Sequence, residues 1–324
     1  MKRIITILAA LCLLMAGCSS GETSPTQNSD QIKVVATVFP GYDWAANLME
    51  GTDAVPELLM KNGVDMHSFQ PTAADIVSLS DADLFIYVGG ESDAWVADAL
   101  KNARNENMIA LNMMDILAED VRQEEHAEGM EADPDEDHDH EEAEYDEHVW
   151  LSLQNAESVC TAISDALCQI DQDHTETYQT NLATYTASLS ALDEQYRQTI
   201  STAGQKTVLF GDRFPFLYLM KGYDLTYYAA FPGCSAETEA SFATISFLAG
   251  KVDELSLPVV LTIDGSDQKI AQTIVDNTAS KTAEILTLDS MQSVTDQQIK
   301  DGISYLSIME DNLSVLQKAI SPLS

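Results

Sequence analysis

Residues 176–201 read ETYQTNLATYTASLSALDEQYRQTIS, a run without proline or glycine. Tyr178, Leu182, Tyr185, Leu189, Leu192, Tyr196 and Ile200 recur in it at intervals of three and four. That spacing draws one apolar stripe along a long helix whose remaining faces are polar. A helix of this length with so narrow an apolar stripe is expected to lie across two bodies instead of being buried in one. A coiled-coil dimer helix is the other reading, but the heptad run is short for it.

Working outward, short β-branched runs alternate with helical patterns on both sides. Before the helix, residues 33–38, 55–60, 84–88 and 108–111 read as buried strands, with helices between them at 42–49 and 73–79. After it, strands fall at 207–210, 225–230, 259–263 and 283–288, and helices at 214–221, 242–252, 268–277 and 304–319. Alternation of this kind builds parallel sheets. The expected fold is therefore α/β: two parallel-sheet lobes, residues 33–173 and 204–324, joined by one linker helix at 174–203. Ligands of such sheets bind outside the carboxyl ends of the strands, so the cleft between lobes is where a site is expected.

The 324 residues carry 16 Lys+Arg against 53 Asp+Glu, a formal net charge of −37. Phosphate neutralisation needs clustered positive charge, so nucleic acid is excluded as a partner. With 45% hydrophobic residues the chain still has the means to bury sizeable cores. The acid is concentrated: residues 119–147 hold 16 Asp/Glu and one Arg, with His126, His138 and His140 interleaved. Self-repulsion predicts an extended, mobile loop there, and a solvated charge run with no specific task is the plain alternative.

At the amino end, Lys2-Arg3, an apolar run from Ile4 to Met15 and Ala16-Gly17-Cys18 have the three-part form of a secretory signal over residues 1–17. The run is shorter than the roughly 20 apolar residues of a membrane span. Small residues directly before Cys18 resemble a bacterial lipobox, which implies lipidation of Cys18. Residues 18–32, rich in Ser, Thr, Asn and Gly, then read as a flexible tether. The expected location is the extracytoplasmic face of the cell membrane, held by lipid. Cys160 and Cys168 lie about 12 Å apart along a helix at 1.5 Å per residue, too far for a disulfide. Three buried thiols, Cys160, Cys168 and Cys234, are expected.

There is no Gly-rich phosphate loop, no Gly-x-Ser-x-Gly elbow and no His-Glu-x-x-His helix, so enzyme readings lose most of their support. What remains is histidine and carboxylate at strand ends. His67 follows the second strand and precedes a helix marked by Thr72 with Asp75 three residues on. His148 sits where the acidic run gives way to apolar Val149-Trp150-Leu151. Either alone would pass for a structural histidine; with six histidines in the chain, one at each crevice position points to a pair.

The strings VVATVFPGYDWAANLM, GVDMHSFQPTAADI, SDADLFIYVGG and HVWLS, followed by the long Tyr/Leu helix, resemble the zinc and manganese solute-binding lipoproteins of ABC uptake systems, the cluster A-I or ZnuA-like family. The resemblance runs from about Lys33 to the end of the chain. It implies metal ligands at His67, His148 and Asp289, the last in Thr287-Leu288-Asp289-Ser290, where a helix cap or turn residue is the other reading. It also implies delivery to an ABC permease and its ATPase, action as a monomer, and release by small lobe tilts, the long helix limiting hinge motion.

At the third ligand the sequence departs from the family: Phe210-Gly211-Asp212-Arg213-Phe214 puts Gly211 at the ligand position. Asp212 substitutes from one residue along, a water completes the shell, or a histidine of the acidic segment reaches in; alternatively Asp212 pairs with Arg213 or caps the helix. The segment Ser235-Ala236-Glu237-Thr238-Glu239 echoes a family Ser-x-Glu and is read as a helix cap lining the cleft.

Two histidines with carboxylates suit Zn²⁺ as cargo, Mn²⁺ being the alternative. The His-containing acidic loop is a feature of the zinc members. Alternatives in other classes are a metal-binding surface adhesin or storage lipoprotein, and a metallohydrolase, which would need an open coordination position and a general base.

Overall fold

Four short strands, β1 (Val34–Ala36), β2 (Glu57–Leu58), β3 (Leu84–Tyr87) and β4 (Ile109–Asn112), pair in parallel in the order β2-β1-β3-β4. Val34, Val35, Ala36, Leu84, Phe85 and Ile86 are all buried, which is why these strands read as unbroken apolar runs and not as alternating ones. The second sheet, β5 (Thr207–Phe214), β6 (Thr226–Pro232), β7 (Val259–Ile263) and β8 (Glu284–Leu288), is also wholly parallel, in the order β6-β5-β7-β8. Both halves are thus wound the same way, and each reverses direction beside its first strand. This is the computed structural model of the chain, and it describes residues 31–131, 144–235 and 239–321.

The crossover helices of the first half are α1 (Phe39–Leu48), α2 (Ala73–Ser80), α3 (Val96–Lys101), α4 (Met113–Leu117) and α5 (Leu153–Ile170). The joining helix is α6 (Thr175–Ser201), and α7 (Leu217–Gly222), α8 (Phe242–Leu255), α9 (Lys269–Asn277), α10 (Asp296–Lys300) and α11 (Tyr305–Ala319) follow. α2 begins with the expected capping box, the Thr72 hydroxyl accepting from the Asp75 amide.

α6 is 27 residues long, about 40 Å at 1.5 Å per residue. Its stripe buries Tyr178, Tyr185, Leu189, Leu192, Tyr196 and Ile200. Near its start, the Asn181 amide donates to Leu48 O (2.9 Å) and Glu50 O (2.8 Å) at the end of α1. Further along, the Tyr196 hydroxyl donates to Met309 O in α11 at 2.6 Å. One helix therefore belongs to both halves, and one apolar cluster runs through them from Trp44 to Leu316. Accordingly Ile32–Ser324 form a single packed unit.

The joint between halves is tight. Asp43 of α1 accepts from the Tyr305 amide at the start of α11 (3.1 Å) and from the Tyr185 hydroxyl (3.4 Å). Tyr305 stands edge-on to Trp44, ring centroids 5.1 Å apart, and its hydroxyl donates to Trp150 O at 2.7 Å.

Several expectations shift. The strand expected at 55–60 contracts to two residues behind Pro56, which has no amide to give. β5 runs on to Phe214 through an irregularity between Phe210 and Arg213, so the helix expected at 214 starts at Leu217, past Pro215. Cys160, Cys168 and Cys234 are all free thiols, as expected, but only Cys160 is fully buried.

Burial raises the Asp43 carboxyl to about 6, against the opposing hydrogen bonds from Tyr305 and Tyr185. A carboxyl raised in the folded state favours the fold most below its unfolded value near pH 4, and that contribution fades as pH rises through 6. Asp43→Asn keeps an acceptor but loses the titration. Denaturant unfolding of the metal-free protein is expected to show the variant gaining on wild type by about 2–3 kcal/mol between pH 4 and 7. A constant difference across that range would mean Asp43 is not the titrating group.

Candidate metal centre

The ends of the strands converge as the topology dictates. Beyond β2, Asp65 caps a short 3-10 turn, Met66–Ser68, its carboxylate accepting from the His67 amide at 3.0 Å. The other Asp65 oxygen takes the Arg213 guanidinium at 2.6 Å, so the His67 turn is held by a residue of the second half. His148, the last residue before the turn Val149–Leu151, is completely buried.

The two imidazoles face each other, Nε2 to Nε2 at 3.3 Å. Two nitrogens bound at 2.0–2.1 Å to one tetrahedral ion would lie about 3.3–3.4 Å apart, so the pair already has the spacing of one edge of such a shell. The Asp146 carboxylate lies 3.0 Å from His148 Nδ1, which assigns a proton there, so Nε2 is the nitrogen that binds a metal once the ring gives up its second proton. His67 Nδ1 is likewise engaged by Ser92 Oγ at 2.9 Å, and Ser92 in turn donates to Glu147. Burial and then the charge of His148 push His67 down to about 3, so it is neutral and able to ligate at ordinary pH. Burial opposes the charged form of His148, but the Asp146 carboxylate outweighs it and holds His148 above the usual range.

A third donor stands with them. Cys234, two residues past β6, places its sulfur so that it and the two imidazole nitrogens all lie within 4.8 Å of one another. Among the described residues this is the group of three or more His, Cys, Asp or Glu side chains able to hold a metal ion. From sequence alone Cys234 is expected only as a buried thiol. The signal that would have found it is the one used for His67: a donor side chain directly after a strand end.

The expected carboxylates are placed elsewhere. Gly211 lies on β5 facing α9, where an added Cβ would fall 2.5 Å from the Ala271 Cα, so this position aims at a helix and not at the histidines. Asp212 accepts from Ser266 Oγ and from the Arg213 amide, and lines a cavity of about 560 Å³ with Asp65, His67 and Asp264. Asp289 accepts from the Met291 amide two residues on (2.7 Å), a turn hydrogen bond. Burial and the nearby Asp264 raise its carboxyl to about 7. Among the described residues, neither Asp212 nor Asp289 belongs to the close group. Ser235 lines the same cavity, but the cap of α8 is Ser241.

The acidic segment is only partly as expected. Its two ends pair, Glu124 N donating to Glu144 O (3.0 Å) and Asp146 N to Arg122 O (2.9 Å). They dock on the second half instead of extending into solvent. Arg122 N donates to the Tyr218 hydroxyl, which donates to Asp146 O. Lys221 pairs with Glu125 at 2.8 Å, and Glu131 accepts from Ser241 N and Thr244 Oγ1. His126 lies on this docked limb; His138 and His140, like Cys18, lie outside the described residues. A second cavity, about 870 Å³, opens beside the histidines between Glu91, Glu124, Glu144, Glu147 and Cys234.

Known proteins agree with this architecture. The family described as "Zinc-uptake complex component A periplasmic" (ZnuA) matches residues 34–319. The zinc-binding lipoprotein AdcA of Streptococcus pneumoniae is 31% identical over 98% of this chain, which spans 61% of that longer protein. The high-affinity zinc uptake system protein ZnuA of Bacillus subtilis is 30% identical, with 97% of this chain and 96% of that protein covered. The crystal structure of the Zn(II)-bound ZnuA-like domain of the pneumococcal AdcA superposes with a TM-score of 0.70 at 26% identity, covering 90% of this chain and 99% of that one.

Filling the space at Gly211 is expected to cost stability without adding a ligand. Gly211→Ala and Gly211→His should both lower the unfolding free energy, by about 1–3 kcal/mol for the alanine as overpacking against Ala271. Neither should tighten zinc binding in a chelator competition; tighter binding by Gly211→His would show that the β5 position reaches the centre.

Proposed function

This chain belongs to the ZnuA family, and from that premise we propose that it is the extracytoplasmic solute-binding component that captures Zn²⁺ between its two halves and delivers it to an ABC permease and its ATPase. The observation that carries this reading is the buried Nε2–Nε2 approach of His67 and His148 at 3.3 Å, each ring fixed from behind by a polar partner. Such backing fixes the tautomer and ring orientation and raises ligand basicity, the arrangement metal-bound histidines require. Asp212, near the end of β5, and Asp289, directly after β8, stand outside the close group and would join the shell only by a further approach of the halves. The relatives' names specify zinc, and imidazole donors favour zinc over manganese in the affinity order.

Lipid attachment at Cys18 belongs to the same reading. Among the described residues no helix is long and apolar enough to cross a membrane, and several relatives are named lipoproteins. The acidic segment, with His126, His138 and His140, gathers zinc weakly near the cleft. The carboxylates that line the 870 Å³ cavity continue that path to His67 and Cys234.

The test is a zinc competition titration combined with uptake in cells that lack this protein. His67→Ala and His148→Ala are each expected to abolish tight zinc binding and uptake at scarce zinc. Asp146→Asn should weaken binding by about 10–100-fold, as the loss of a group that orients a ligand does. Removal of residues 132–143 should leave one tightly bound zinc and slow uptake only when zinc is scarce. Wild-type metal content in both histidine variants would sink the reading.

A further inference from the structure

We infer that Cys234 is the third protein ligand, bound as a thiolate, and that it makes this centre selective for thiophilic divalent cations against manganese. The inference rests on the zinc-capture reading above and adds to it the donor set and its selectivity. Three separate features of the chain bring the sulfur to the histidines. First, the loop after β6 passes directly over His148: a Cβ at Gly233 would lie 3.3 Å from His148 Cε1 and 2.8 Å from Phe214 O. Only a residue without a side chain lets the backbone pass that close, and the next residue is Cys234.

Second, the loop is tied down at Cys234 itself, whose amide donates to Glu124 Oε1 at 3.1 Å. Third, the backbone amide of Glu147, the residue before His148, hydrogen-bonds the Cys234 sulfur and so fixes it beside the histidine loop; burial and the carboxylates of Glu124, Asp146 and Glu147 hold the free thiol well above its usual range, so its proton leaves to solvent as the metal binds. The sulfur also borders the open acidic cavity and not a closed apolar pocket, so it stands where a cation arrives.

Ligand geometry is consistent with the role. A zinc ion at about 2.3 Å from sulfur and 2.0–2.1 Å from nitrogen has a tetrahedral N···S edge of roughly 3.5–3.6 Å. The sulfur lies within 4.8 Å of both nitrogens, so a loop movement of about an ångström completes a three-donor face. Among the described residues no carboxylate oxygen belongs to this close group. Thiolate is a soft donor that suits zinc, cadmium and cobalt used as a probe, whereas manganese prefers carboxylate and water. A Gly at the β5 position and a Cys after β6 are then two parts of one change: the third ligand has moved from one strand end to its neighbour.

Cobalt(II) titration of the reduced, metal-free protein tests this. Wild type is expected to develop a sulfur-to-cobalt charge-transfer band in the near ultraviolet that saturates at one equivalent. Cys160→Ser and Cys168→Ser should keep the band; Cys234→Ser should lose it while retaining the visible d–d bands of bound cobalt. The same Cys234→Ser protein should bind zinc at least about ten-fold more weakly and lose much of the zinc-over-manganese preference. Cobalt bound at one equivalent by wild type without the charge-transfer band would overturn the thiolate and leave the His67–His148 reading standing. Absence of bound cobalt and zinc altogether would overturn both.

Discussion

A single buried carboxylate holds the two halves in register. Asp43 lies in the first crossover helix, yet it accepts a hydrogen bond from the first amide of the last helix, hundreds of residues away in the chain. Helix amino ends are electropositive, and a carboxylate there is a favourable partner. What makes the contact consequential is its position: the capped residue, Tyr305, packs on Trp44 and donates to the carbonyl of Trp150. Trp150 in turn donates its indole N–H to Ser290 O, at the end of the last strand, and lies against the ring of His148. A continuous line of packed and hydrogen-bonded groups therefore runs from the interhelical joint to a proposed ligand.

That line explains why the histidine pair is buried and still correctly oriented. A wholly buried imidazole is costly unless both ring nitrogens are engaged. For His148 the inner nitrogen belongs to Asp146 and the outer one faces His67. The surrounding carboxylates, Glu124 and Glu147, are raised by burial and stand close to the same cavity. The charges of Asp146 and Glu144 add to the rise at Glu124, and a divalent ion in the cavity offsets them.

Much of the fold was legible because its signals are local. All eight strands fall where the apolar runs place them, and the 3- and 4-residue rhythm of tyrosines and leucines locates the joining helix within a residue or two at either end. Boundaries shifted where proline decided them, at Pro56 and Pro215, or where β5 continued through an irregularity that periodicity does not register. The histidines were legible because each sits at a local boundary, His67 between β2 and the capping box of α2, His148 where the acidic run meets Val149-Trp150-Leu151. The place of Cys234 beside them was not, because it depends on which loops meet across the cleft. Asp212 and Asp289 illustrate the reverse: Asp212 accepts from Ser266 on another loop and Asp289 from the Met291 amide, partners that the order of motifs does not reveal. The docking of the acidic segment's ends was likewise hidden, since a charge run predicts repulsion from itself and says nothing of Tyr218, Lys221 or Thr244 waiting on another element.

Those docked ends alter the mechanics of the molecule. The chain passes between halves along α6, and the paired limbs of the acidic segment make a second attachment through Tyr218, Lys221 and Ala230. Together with the Asp43–Tyr305, Trp150–Ser290 and Asp65–Arg213 contacts, these attachments tie the halves at several places and not at a single hinge. Glu124 on the acidic limb also holds the Cys234 amide, so a tilt of one half against the other pulls on the loop that carries the thiol. Rocking of the halves and displacement of a donor atom are in this way the same movement.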